Sequence, residues 1–526
     1  MSHSNNYDYD YTIIGSGFGG SVSALRLAEK GYKVLVIEKG KWFNHPSDFP
    51  KTNWNLRKWL WLPSFGLQGL FKLTFYRHVA VLSGVAVGGG SVVYANTLPV
   101  PKSEFYNTGH WKGLEDWENT LQPFYHTAEK MLGASIHPYM SRSDKVMQTL
   151  AKEIGKEDAF EKTNVAVYFG QPNVTVPDPY FNGKGPDRTG CILCGGCMIG
   201  CRYNAKNTLD KNYLYLAQQL GTEIIAEKEV VNVLPINHDG SEGYEITFQD
   251  SLKLFKKKTT IKSKAVIFSG GVLGTMNLLL KLKESSLPNL SNTLGSGIRT
   301  NSESLIAVTT QDDVSFSEGI AIGSIIKIDE SRHIEPVKYS EGSGFWRLFM
   351  APMVQGPNIV NRLYKMCKEL VLHPIDYLKT YFIDDWSKRS HILLYMESKD
   401  SSLSFKRTGF GRLKTKLDSG NAPTAFNPIA QELAHKVEKI INGKAMVTHT
   451  ETLLGIPTTA HILGGACMGK DASEGVIDKN NHVFNYTNML ICDGSMVSAN
   501  PGVNPSLSIT AIAERAMSKI PNKNEL

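Results

Sequence analysis

Tyr11-Thr-Ile-Ile-Gly15-Ser-Gly17-Phe-Gly-Gly20 is the stretch on which the fold turns. Four β-branched or aromatic residues run into G-x-G-x-x-G. A helical pattern follows from Ser21 to Lys30, then Gly31, then a second apolar run, Val34-Leu-Val-Ile37, that ends at Glu38. Strand, glycine turn, helix and strand in this order form the dinucleotide-binding βαβ unit. Gly15 permits the tight turn, Gly17 lets backbone approach a pyrophosphate, and Gly20 lets helix and strand pack closely. The helix N-terminus presents free N–H groups and a positive dipole end to phosphate. Glu38 can accept both hydroxyls of an adenosine ribose and would repel a 2′-phosphate. NADP is therefore disfavoured, while NAD and FAD both stay open.

At 526 residues the chain is too long for one ordinary core, so more than one domain is expected. Hydrophobic residues at 41% and charged residues at 20% are those of a globular protein. The net charge of +7 is mild, and its one basic run, Lys256-Lys-Lys, reads as a solvated hairpin; no nucleic-acid partner is expected. The polar start, Met1 to Asp10, has no targeting pattern. No stretch is long and apolar enough to cross a bilayer. Seven cysteines, four of them crowded together, do not form a secreted disulfide framework. The expectation is a cytoplasmic enzyme, with peripheral membrane contact left open.

Working outward, Trp42, Trp54, Trp59, Trp61, Phe65 and Phe71 are interleaved with Lys51, Arg57, Lys58 and Lys72. That composition fits a packed connection, a lid over an apolar substrate, or an interfacial segment. A second aromatic and basic stretch, Gly344 to Trp386, has helical spacing and the same three readings. Gly88-Gly89-Gly90-Ser91 cannot make a good helix or strand, and suits backbone pressed against a flat ring. Cys191-x2-Cys194-x2-Cys197-x3-Cys201 has the spacing by which bacterial ferredoxins hold iron–sulfur clusters, but Arg202 replaces the usual proline. Four thiolates would also suit zinc, and a glycine-rich turn with free or bridged thiols is the plain alternative.

Tyr203 to Gln219 reads as a helix, Glu223–Ala226 and Val230–Val233 as paired strands, and Tyr244–Phe248 with Thr259–Ile261 as a hairpin. Ala265 to Gly271 is a buried strand ending in glycines, and from Asn301 to Ala460 the pattern is one of alternating strands. Near the end stand His461-x-x-Gly464-Gly465, Asp493-Gly494-Ser495, and Gly502-Val-Asn504-Pro505 opening a helix. An acid at a strand end can face a ribityl or phosphate group. Asn504 and the helix dipole can meet developing negative charge, and His461 is favoured as a catalytic base.

Together these segments resemble a GMC (glucose–methanol–choline) oxidoreductase. Within it the likeness is greatest to cholesterol oxidases and relatives acting on bulky lipid alcohols, through Asn207-Thr-Leu-Asp-Lys-Asn-Tyr-Leu, Leu394-Tyr395 and the pairing of His461 with Asn504. The resemblance implies an α/β Rossmann-type FAD-binding domain with an α+β substrate domain on an antiparallel sheet. The expected segments are 1–120 (FAD-binding), 121–190 (cap), 191–300 (cysteine cluster and FAD-binding), 301–455 (substrate) and 456–526 (FAD-binding, with His461 and Asn504).

It also implies FAD held at its pyrophosphate by Gly15, Gly17 and Gly20 and at its ribose by Glu38. Gly89, Gly90, Ser91 and Asn96 would lie against the flavin, Val231 near the adenine, and Asp493, Gly494 and Pro505 along the rest. The implied reaction oxidises a hydrophobic alcohol such as a sterol by hydride transfer to flavin N5. His461 serves as base or orients a water, and Asn504 stabilises the reduced ring. Dioxygen is one acceptor. With a [4Fe-4S] cluster or zinc at Cys191, Cys194, Cys197 and Cys201, a quinone or carrier protein would be another, making the chain a dehydrogenase. A GMC enzyme for a small polar alcohol, and a non-redox lyase or light-driven lipid enzyme, are the further readings. In cholesterol oxidases a glutamate isomerises the product's double bond; a rough alignment puts that position near Arg389, beside Asp384 and Asp385, which leaves isomerisation open.

Overall fold

The computed structural model describes residues 7–398, 401–409, 411–420 and 422–525. Residues 1–6 of the polar start lie outside them.

The opening motif folds as its spacing dictates: β1 (Tyr9–Ile14), α1 (Phe18–Glu29) and β2 (Val34–Ile37). The inner half of β1 and all of β2 are buried, as a sheet covered on both faces requires. β1 pairs in parallel with β2 on one side and with Lys258–Phe268 on the other. Glu223–Ile225 extends the sheet beyond β2. The long strand Lys258–Phe268 is forked. Its first half pairs antiparallel with Tyr244–Asp250, and its last three residues pair in parallel with Met489–Ile491. Residues from both ends of the chain thus share one sheet.

The expected hairpin forms. Glu223–Ile225 and Lys228–Pro235 do not pair with each other, however; the first joins β2 and the second joins Tyr244–Asp250. The helix expected from Tyr203 is only Tyr213–Gln219. Asn204 adopts φ +58, and Leu209–Lys211 makes a separate tight turn, so the residues between the last cysteine and Asn212 run over the core as irregular chain.

A second sheet of seven antiparallel strands runs in the order Met350–Pro352, Gly443–Thr448, Ser304–Thr310, Ser390–Glu397, Arg332–Val337, Ser324–Lys327, Phe160–Lys162. Alternation separates its two faces. Ile306, Val308, Ile334, Leu393 and Tyr395 pack under helices Arg142–Glu153 and Pro428–Ile441. Ala307, Val337, Ile392 and Leu394 face the other way, toward Trp59, Phe345 and Trp386. The two aromatic stretches therefore meet: Trp59 stacks on Phe71 at 5.2 Å and meets Phe345 edge-on at 5.0 Å. No helix among the described residues is long and apolar enough to cross a membrane.

Candidate active site

Between the parallel sheet and the inner face of the antiparallel one lies a cavity of about 360 Å³. Its wall includes Gly17, Glu38, Gly89, Gly90, His461, Asp493, Gly494, Asn504 and Pro505, so the triple-glycine run, the imidazole and the final Asn-Pro turn converge on one space.

The glycines do three different jobs. Gly15 sits at φ +104, where a Cβ would lie 2.3 Å from the Ser269 carbonyl oxygen, so the turn needs both the conformation and the close approach. A Cβ on Gly20 would meet the Gly15 oxygen at 2.1 Å, so its bareness seats α1 on the turn. Nothing lies within 4 Å of a Cβ built on Gly17; that face opens into the cavity at the N-terminus of α1. Gly89 approaches Gly17 so closely that a Cβ would be 2.7 Å from its Cα.

Glu38 is held rigidly. The Ser16 amide (3.0 Å) and hydroxyl (2.8 Å) donate to Oε2, and the Gly40 amide donates to Oε1 at 2.7 Å. A carboxylate has about four acceptor sites, so it keeps room for ribose hydroxyls. Asp493 accepts from Thr275 and Ser495, and burial raises its carboxyl above the ordinary value. Besides Gly15 and Gly20, which shape the turn from behind, three residues expected against the cofactor stand behind the lining. The Ser91 hydroxyl donates to Gly88 O and accepts from the Leu209 amide. Asn96 is buried at φ +63 between Ala95 and Thr97, which do line the cavity. Val231 sits at a bulge, its carbonyl accepting from Lys281 Nζ.

His461 has a partner that its sequence surroundings do not announce. Glu303, fully buried ahead of strand Ser304–Thr310, meets His461 Nδ1 through Oε1 at 2.7 Å. The Thr459 hydroxyl donates to the same oxygen at 2.6 Å, and the Ala460 amide donates to Oε2 at 3.0 Å. Burial opposes charge on both groups, and their mutual attraction outweighs it: Glu303 is pulled below its ordinary range and His461 raised above its own. With Nδ1 held, the imidazole has Nε2 left for the cavity. Glu303 is visible in the sequence only as an acid inside Asn301-Ser-Glu-Ser, an unremarkable polar turn.

The four cysteines line a second cavity of about 320 Å³ together with Lys206. The expected iron–sulfur or zinc site finds no support in their geometry: among the described residues, no three His, Cys, Asp or Glu side chains converge as metal ligands. Cys191, Cys197 and Cys201 pack instead against Val165, Val167, Ala205 and Ile320, and burial pushes the Cys194 thiol up to about 11. Arg389, near the expected isomerising position, pairs with Asp313 at 2.6 Å and Asp384 at 3.5 Å and does not line the active-site cavity.

Residues 185–298 and 413–513 both match the description GMC oxidoreductase, and residues 13–43 match an NAD(P)-binding Rossmann-like domain. A cholesterol oxidase of Acinetobacter baumannii is 45% identical over 99% of this chain and 96% of its own length. The chain belongs to the GMC oxidoreductases. A cholesterol oxidase of Mycobacterium tuberculosis is 40% identical over 98% of this chain and 92% of its own, and a long-chain-alcohol oxidase of Arabidopsis thaliana is 24% identical over 97% and 67%. Among solved structures, a pyridoxine 4-oxidase from Mesorbium loti superimposes with a TM-score of 0.60 at 12% identity, covering 97% of this chain and 98% of that one. A fungal aryl-alcohol oxidase gives 0.59 at 14%, covering 98% of each. The fold and the enzyme class expected from the sequence are therefore those of this GMC oxidoreductase, an FAD-dependent enzyme. The cavity fits that cofactor. The open face of Gly17 lies at a helix N-terminus, Glu38 keeps acceptor capacity, and the buried side-chain oxygen of Asn504 meets no donor among the described residues. An orphaned buried acceptor is what a group serving a bound molecule shows.

Proposed function

We propose that this GMC oxidoreductase oxidises the hydroxyl of a sterol, or of a comparably bulky hydrophobic alcohol, with dioxygen as acceptor. The observation that carries the reading is the wall around His461: Leu305, Ala307, Ile392 and Leu394 from one sheet face, closed by Trp346 and Met350. Such a wall is mostly apolar and offers few hydrogen-bonding partners for a sugar or small polyol, which favours an apolar ring system. The two cholesterol oxidases at 40–45% identity support the same substrate class.

FAD, when bound, supplies the hydride acceptor. Gly17, the N-terminus of α1 and Glu38 would hold its pyrophosphate and ribose, with Gly89, Gly90, Asp493, Gly494 and Pro505 along the remainder. His461 takes the hydroxyl proton at Nε2, directly or through a water it orients, and Glu303 stabilises the imidazolium so formed. Asn504 and the N-terminal end of helix Ser506–Ser518 face the negative charge that develops as hydride leaves the carbinol carbon. The cysteine geometry gives the cluster-linked dehydrogenase route no support, which favours dioxygen over a quinone or carrier. Anaerobic addition of cholesterol should bleach the flavin absorbance; bleaching by small polar alcohols alone would overturn the substrate class.

A second buried carboxylate favours isomerisation of the product. Glu335 lies opposite Leu394, behind the lining on the sheet face turned toward the cavity; its Oε1 is 3.5 Å from His333 Nε2, and among the described residues neither oxygen accepts a hydrogen bond. It can move a proton along an enolisable ketone, the role that Arg389 cannot fill. Docking to the membrane that holds such substrates is also proposed. Helices Ile359–Leu372 and Pro374–Tyr381 expose Val360, Tyr364, Val371 and Ile375 beside Lys365, Lys368 and Lys379, and the adjoining Trp346 and Met350 reach the cavity. Apolar side chains among lysines fit an anionic lipid surface. Sedimentation with liposomes tests this, and equal recovery in the supernatant with and without anionic lipid would refute it.

A further inference from the structure

We propose that Lys206, which does not line the active-site cavity, acts through the loop it holds to raise the reduction potential of the bound FAD. This rests on the FAD reading above. Lys206 is fully buried and follows the four-cysteine turn. Its Nζ donates to three backbone oxygens: Val92 at 3.0 Å, Tyr94 at 2.7 Å and Cys197 at 2.9 Å. Burial lowers this group to about 7, and the three carbonyl oxygens within bonding distance favour the three-donor ammonium over the two-donor amine. No carboxylate among the described residues forms an ion pair with it. The charge also lies 4.6 Å from the centre of the Tyr94 ring, within the range of a cation–π contact.

Its location gives the charge a purpose. Val93, Tyr94 and Ala95 line the active-site cavity on the loop that begins with Gly89 and Gly90, whereas Lys206 lines the cavity of the cysteines. The ammonium therefore sits in the partition between the two cavities, one layer of backbone behind the wall against which the flavin would rest. Burying an unpaired charge is costly, and tying two loops together could be done by a neutral amide. A fixed positive charge in a dry partition adds what an amide cannot: a field on any charge that appears next door. Two electrons and one proton entering the flavin leave it one unit more negative. The ammonium favours that state, and its carbonyl partners hold it in place without neutralising it.

The test is the potential of the purified holoenzyme, read by anaerobic equilibration with a reference dye and no alcohol present. Lys206→Met should shift the equilibrium at least tenfold toward oxidised flavin, about 30 mV for a two-electron couple. Lys206→Gln, which keeps two of the donors, should shift it in the same direction, and Lys206→Arg should stay within threefold of the parent. Unchanged potentials in the methionine and glutamine variants would overturn the proposal. So would an equal shift in the arginine variant, or loss of fold or flavin in both neutral variants, which would make the lysine a structural tie only. Failure of the sterol reading leaves this measurement intact, whereas a colourless parent protein would refute the FAD reading itself.

Discussion

Replacing Glu303 with glutamine separates a catalytic base from a buried structural histidine. Glu303→Gln keeps the shape and one acceptor oxygen, enough for Thr459 but not for the Ala460 amide as well, and it removes the negative charge 2.7 Å from His461 Nδ1. A hydrogen bond to a charged group contributes about 1.5–3 kcal/mol. If that contribution is made where His461 becomes imidazolium, kcat/KM falls about 10- to 160-fold. The pH profile moves as well. His461 is held above the ordinary imidazole value, so the parent loses activity as pH falls through that raised value and the base becomes protonated. Without the Glu303 carboxylate, burial acts on the ring with only Glu335 opposing it, and the acid limb moves to lower pH. Stopped-flow flavin reduction by substrate across pH 5–9, on variants checked for flavin content, measures both effects. A rate loss under threefold, or an acid limb that stays in place, would refute the assignment.

Gly89→Val should abolish flavin retention, because its Cβ would stand 2.7 Å from Gly17 Cα at a backbone φ of +52; the preparation should be colourless while its circular dichroism stays near that of the parent. Glu335→Gln should leave alcohol oxidation intact and stop double-bond isomerisation, so the unconjugated ketone accumulates in product chromatography, whereas Arg389→Ala should change neither. Burial raises the Glu451 carboxyl to about 8, against an unfolded value of about 4.3. The folded chain therefore binds the extra proton between those values, and stability falls as pH rises through that window. Glu451→Gln should flatten this slope, read as Tm against pH.

What the sequence disclosed follows from how local each signal is. The βαβ unit is written in residues 11–38, so spacing alone places strand, turn, helix and acid. Gly89, His461 and Asn504 were recognisable because their neighbours are chemically unusual. Glu303 was not, because its meaning comes from a contact 158 residues away that only the sheet creates. The same holds for the strands near residues 223–235: their apolar pattern was legible, but their partners are set by sheet order, and adjacency in sequence suggested the wrong pairing. The helix expected from Tyr203 failed for a different reason. Lys206 and Asn207 are drawn into the core by partners at Val92, Tyr94 and Gly133, and these outcompete local helical bonds. The cysteine spacing suggested a metal, but spacing says nothing of which way thiols point.

The sheet under the cofactor has a consequence for biogenesis. Its centre is β1, near the first residue, yet the strand Met489–Ile491 and the turn at Asn504 arrive only with the last tenth of the chain, and Arg26 of α1 is clamped by Glu514. A nascent polypeptide cannot complete the FAD cradle until residues 489–514 have been made. Yellow colour is then a certificate that residues 489–514 have joined the opening motif, and a shortage of the vitamin precursor would leave chains that already contain them open and vulnerable to proteases.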